Sequence, residues 1–266
     1  MTLNTQLATL PVDLYRDIAI PVEKRLDIHA LLLVSRAMYA AALPALYRSL
    51  NYENQGRECV AFERLINSTS LALAVRSINL RIDKNSDFKA INVALRATTN
   101  LRSLNIVNPS YDLEGMDHLG SIVEGVKFQL YSLRLATYLP RDGGTAKDFL
   151  VKQSSLVEDL AFEAWNPEGP VYTILEGMKF PNLRLLASVG SSDSMKGVDK
   201  VLKQERVVAF RCDHRIPERG PYRSIRALST KGWVPGLATL PKFPNLKYLL
   251  ISIVSTRCLI TPPSLD

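Results

Sequence analysis

The chain has 266 residues, 47% hydrophobic and 22% charged, enough for a large core or for two modules of unequal size. No apolar run approaches the roughly 18 residues of a membrane span, and residues 1–10 lack a secretory pattern, so the expected compartment is intracellular, cytoplasmic or nuclear. A net charge of +7 raises nucleic acid as a partner class, so the distribution of charge matters.

Residues 5–50 read as a helical motif in three pieces: Leu10–Ile18, Asp27–Arg36 and Ala41–Leu50. Pro11 suits a first helical turn, Asp27 stands where an N-cap is wanted, and Pro44 marks the start of a further element. So small a unit cannot enclose Leu10, Leu14, Ile18, Ile28, Leu31, Leu32, Val34, Leu43 and Leu46. Some should be covered by the residues that follow, and the rest should form an exposed apolar patch of the interface kind.

Leu10-Pro11, Asp13-Leu14, Ile18, and Asp27-Ile28 leading into Leu33-Val34-Ser35-Arg36 resemble the F-box. Leu46-Tyr47-Arg48 and the later Val75-Arg76-Ser77-Ile78-Asn79-Leu80 are similar to fungal F-box proteins that carry repeats. The resemblance implies docking onto a Skp-family adaptor and through it onto a cullin-based ubiquitin ligase. The positions it assigns to that contact are Leu10, Pro11, Leu14, Ile18, Ile28, Leu31, Val34 and Ser35. Residues 19–26, with Pro21 and three charges, depart from the family's apolar pattern. The plainer alternative is a helical cap that seals the first repeat.

From residue 51 an internal repeat takes over: an apolar residue, a second three positions on, a third two beyond. It occurs at Val75/Ile78/Leu80, Leu101/Leu104/Ile106, Leu130/Leu133/Leu135 and Val157/Leu160/Phe162, then at Leu183/Leu186/Ser188, Val207/Phe210/Cys212, Ile225/Leu228/Thr230 and Leu246/Leu249/Ile251. The first members stand 18 to 29 residues apart, at or near the spacing of leucine-rich repeats. Helical stretches are expected between them, at Cys59–Ile66, Phe88–Ala97, Met116–Val126, Ala146–Val151, Val171–Met178 and Val198–Leu202.

The expected fold is therefore α/β: a three-helix F-box followed over residues 51–254 by a degenerate leucine-rich-repeat solenoid of about eight units. Its parallel sheet would line the concave face and its helices the convex face, with residues 255–266 as a tail or partial cap. The family's asparagine ladder after each core is absent. A doubly wound α/β domain is the competing architecture.

In this register a cargo protein would meet Arg134, Asp159, Glu163, Leu185, Val189, Arg211 and Tyr248 on the sheet, with Asp159, Glu163 and the apolar fifth unit at the centre. Trp165 and Trp233, just past their strands, are further anchors or plain cover.

No catalytic constellation competes, and no cofactor is expected. Cys212-Asp213-His214 reads as a strand with a buried cysteine, and the three cysteines show no metal or disulfide spacing. Asp142-Gly143-Gly144-Thr145 lacks the lysine of a phosphate-binding loop. Residues 196–226 hold nine basic residues against four acids, interleaved and poor in aromatics. That suits an acidic protein partner or a solvated face better than nucleic acid. The chain reads as a non-enzymatic adaptor, with a stand-alone protein-binding repeat module as the alternative.

Overall fold

A gap of three followed by a gap of two is not the rhythm of a plain strand, whose side chains alternate with period two. The structure, a computed structural model, describes residues 12–19, 21–22, 24–53, 57–83, 85–107, 118–136, 144–163, 175, 177–189, 196–204, 206–212, 221–231 and 242–252. It shows what the longer gap does. At the lip of each strand after the first, two successive amides donate to one carbonyl of the strand before. Arg76 and Ser77 N–H reach Arg48 O at 2.9 and 3.1 Å, and Arg102 and Ser103 reach Arg76 O at 2.8 and 3.0 Å. The doubling recurs to the end of the sheet, where Lys247 and Tyr248 share Arg226 O. The strands stay in one-to-one register, but the shared acceptor interrupts the alternation at the lip, so two successive residues face outward while the apolar residues before and after them turn inward.

The described elements run α1 (Val12–Ala19), α2 (Arg25–Leu32), α3 (Arg36–Leu46), β1 (Ser49–Glu53), α4 (Arg57–Asn67), α5 (Thr69–Ala74), β2 (Ser77–Arg81), α6 (Phe88–Ala97), β3 (Ser103–Val107), α7 (His118–Val123), β4 (Ser132–Ala136), α8 (Gly144–Gln153), β5 (Asp159–Glu163), β6 (Leu185–Val189), α9 (Lys196–Leu202), β7 (Ala209–Cys212), β8 (Ala227–Lys231) and β9 (Tyr248–Ser252). The nine strands form one parallel sheet in chain order. A doubly wound sheet reverses its strand order at a switch point, and none occurs here. The fold is mixed α/β and consistent with a solenoid-like winding.

One face of the sheet is the core. Leu50 and Tyr52, Ile78 and Leu80, Leu104 and Ile106, and Leu133 and Leu135 are buried there in consecutive strands, with Leu160 and Phe162 beyond them. Phe62 and Leu65 of α4, Ile91 and Leu95 of α6, Ile122 of α7, Phe149 of α8 and Val201 of α9 close the same cluster. Each such aliphatic side chain contributes about 1.5–3 kcal/mol.

The recurring Asn-Leu-Arg/Lys phrase has a structural cause. Asn100, Asn182 and Asn245 donate through Nδ2 to the carbonyls of Leu73, Ser155 and Arg223, at 3.0, 2.7 and 2.6 Å, tying each unit to the one before. The leucine that follows then packs inward.

All eight expected cores lead into strands, β2 to β9. β1 is an addition: Tyr47, Leu50 and Tyr52 have the same spacing and are buried, and the strand lies across the expected boundary at residues 50/51. In the sequence it is masked by Leu46–Arg48, which resemble the end of the helical motif. α5 was also unexpected.

Pro44 does not begin an element but lies inside α3. A proline there removes one helical hydrogen bond, near the helix end, and packing compensates: Leu43 and Leu46 lie against the main core and Ala42 and Ala45 in the small N-terminal one. Asp27 is not a cap either. α2 begins two residues earlier, after Lys24, which leaves Asp27 in the first turn, where a carboxylate still favours the helix dipole.

Leu10, Pro11, Trp165, Trp233, His214, most of residues 171–178, and the tail 255–266 lie outside the described residues.

Candidate interaction surfaces

Two surfaces stand out, the N-terminal helices and the outer face of the sheet. In the helices, Ala19, Ile28 and Ala42 form a small buried cluster, with Leu31 and Leu32 half-buried beside it. That core is too small to cover the remaining apolar side chains. Leu14 and Ile18 of α1 are 45% and 44% exposed, and Leu26, Leu33 and Val34 are 82%, 87% and 67% exposed. Tyr39 of α3 is exposed as well.

Of the residues assigned to adaptor contact, Leu14, Ile18 and Val34 therefore reach the surface. Ile28 is buried and supports the helices from within, because it packs on Ala19 and Ala42. Ser35 caps α3, its Oγ accepting from Met38 N at 3.1 Å. Leu26 and Tyr39 lie outside the three expected helical pieces, and Leu33 belongs to the motif but not to the positions assigned to the contact. Their signal was available: α2 and the turn after it are apolar on both sides, more than one small core can use.

On the sheet, register fixes three outward rows. The leading row runs Ser49, Ser77, Ser103, Ser132, Asp159, Leu185, Ala209, Ala227, Tyr248. The middle row runs Asn51, Asn79, Asn105, Arg134, Ala161, Ala187, Arg211, Ser229, Leu250. Asn79 Nδ2 donates to Asn51 Oδ1 at 2.7 Å. Glu163 and Val189 are partners in the trailing row.

The residues assigned to cargo thus fall largely together. Asp159, Glu163, Leu185 and Val189 occupy two adjacent strands, and Arg134 and Arg211 flank the alanine pair between them. Tyr248 stands apart, three strands from Leu185, although Ala209 and Ala227 make the stretch between them apolar. It is 71% exposed, and its neighbour Leu250, outside the expected cargo set, is 63% exposed.

Charge also gathers at the lip, one residue before the leading row: Arg48, Arg76, Arg102, Tyr131, Glu158, Arg184, Val208, Arg226, Lys247. Arg184 meets Glu158 at 3.9 Å and Arg102 lies over the Tyr131 ring at 5.1 Å. Burial, then the Glu158 carboxylate, holds the Asp159 carboxyl above its ordinary value, against the pull of Arg184.

Among the described residues, no His, Cys, Asp or Glu cluster could hold a metal ion, and no helix is long and apolar enough to cross a membrane. Cys212 is buried in the core, a small hydrophobe in effect. Compared with protein-family models and with curated proteins, the sequence matches none.

Proposed function

We propose that the chain is a non-catalytic adaptor, the substrate receptor of a Skp–cullin–F-box ubiquitin ligase. In this reading the N-terminal helices are an F-box that docks on a Skp-family adaptor, and the sheet belongs to a leucine-rich-repeat solenoid that holds a cargo protein. One observation carries it: Leu14, Ile18, Leu26, Leu33 and Val34 stay exposed on α1, α2 and the turn after α2, outside the small core those helices share. Exposed apolar side chains in this number on one small helical unit suit a protein partner. The sheet adds a second, separate face for a partner. Holding cargo and ligase together removes much of the entropy cost of their encounter, the service of a scaffold that does no chemistry.

The test is capture of the full chain by a purified Skp-family adaptor. Wild type should be retained, and the Leu14→Asp/Val34→Asp double variant should be lost with its circular dichroism spectrum unchanged, since both side chains are exposed. Absence of capture by the wild type rejects the ligase reading and leaves a stand-alone repeat module.

A further inference from the structure

Three consecutive strands open on nearly the same four residues: Arg48-Ser49-Leu50-Asn51, Arg76-Ser77-Ile78-Asn79 and Arg102-Ser103-Leu104-Asn105. Pairing aligns serine with serine and asparagine with asparagine. The shared carbonyls place Arg76 beside Arg48 and Arg102 beside Arg76. The third residue of each four is core. What remains outward is a patch of arginine, serine and asparagine, with neighbours about 4.8 Å apart across the strands. Arginine only donates hydrogen bonds, and hydroxyl and carboxamide groups can do so too.

Stacked like charges oppose folding. The Arg76 guanidinium is held below its ordinary value by burial and then by Arg102 and Arg48. Among the described residues none of the three arginines pairs with a carboxylate. Arg76 donates to the Leu73 and Val75 carbonyls and Arg102 covers Tyr131. Glu53, the single acid in these strands, lies at their far end in register with Arg81. Arg184, farther along the lip, does have its acid in Glu158.

We propose that this patch binds an extended acidic segment of a partner protein, whose Asp and Glu carboxylates bridge Arg48, Arg76 and Arg102 and accept further hydrogen bonds from Ser49, Ser77 and Ser103. Each guanidinium fork matches a carboxylate, and a row of them meets a row of acids. Protein is favoured over nucleic acid because the outward positions of β1–β3 hold no aromatic side chain on which a base could stack. The neighbouring Tyr131 ring is already covered. The inference rests on the sheet face as the cargo surface and is independent of adaptor docking, so adaptor capture should be the same whether or not the patch binds acids.

The experiment titrates the full chain with fluorescein-labelled polyglutamate at low salt, beside polyglutamine and single-stranded polyuridylate of equal length. Wild type should bind polyglutamate and not polyglutamine. The R48Q/R76Q/R102Q variant should lose about tenfold or more in affinity, the scale of a charge-assisted bidentate contact. An R184Q/R226Q variant should stay within about twofold, because those residues lie beyond the patch. Four results overturn the proposal: no polyglutamate binding by wild type, an unchanged triple variant, equal losses in both variants, or tighter polyuridylate binding through the same three arginines. Should the triple variant misfold, R48Q alone decides. Among the described residues the Arg48 side chain makes no hydrogen bond, ion pair or ring contact and faces the like charge of Arg76, so R48Q should keep or raise the melting temperature while weakening polyglutamate binding about threefold.

Discussion

Asp159 marks the point where the leading row changes from serines to an apolar stripe, and its carboxyl is held above its ordinary value by burial and by Glu158. The sign of the consequence follows from linkage. A carboxyl with a raised folded pKa binds its proton more tightly folded than unfolded, so it favours folding as pH falls and opposes it as pH rises through that interval. Asp159→Asn, neutral throughout, should therefore raise the melting temperature slightly at neutral pH. The gain should vanish below the ordinary aspartate value of about 3.9. Thermal melts of both proteins across that range check it, and a lower melting temperature for the variant at neutral pH would contradict it. The larger cause, burial against neighbouring strands, is not legible in the sequence, although the adjacent Glu158 is. The outward position itself was legible, since the spacing of Val157, Leu160 and Phe162 sets which residues point away from the core.

Between a helix and the next strand the chain runs where neither ladder nor helix satisfies its backbone, and two glutamines take over. Gln153, at the end of α8 and buried, accepts from Leu130 N at 2.8 Å and donates to Phe128 O at 3.1 Å. Gln204, just after α9, does the same for Phe180 N at 3.0 Å and Met178 O at 3.2 Å. Gln153→Ala strands one amide and one carbonyl away from water and should cost about 2–3 kcal/mol. Gln204, half-buried, can be replaced by water, and Gln204→Ala should cost nearer 1 kcal/mol. Urea denaturation measures both, and a loss below about 0.5 kcal/mol for Gln153→Ala would show that water already serves these groups. Such braces are invisible to a search for apolar periodicity, as is α5, too short at Thr69–Ala74 to show a period. α6 was legible to the residue, because an amphipathic run and the Asp87 cap agree; Asp87 Oδ1 accepts from Ala90 N at 2.9 Å. Pro44 misled because α3 is held by packing on two cores, and local preference yields to that.

A sheet that adds strands strictly in chain order has interior units covered on both sides and end units covered on one. Stability in such an array is close to a sum of unit and neighbour terms, so the same substitution should cost different amounts along it. Leu133 in β4 is fully buried, in register with Leu104 on one side and Leu160 on the other. Leu249 holds the corresponding place in β9, pairs with Leu228, and is 42% exposed. Leu133→Ala should cost about 3 kcal/mol, transfer plus a cavity that flanking strands cannot collapse into. Leu249→Ala should cost less than about 1 kcal/mol, since part of its surface already meets water. Equilibrium unfolding gives the two values. Native-state hydrogen exchange gives the same gradient independently, with the amides of β3 to β5 slowest and those of β9 fastest. Equal costs at the two positions, or uniform protection from β3 to β9, would mean that the array melts as one closed unit and that neighbour terms do not set its ends.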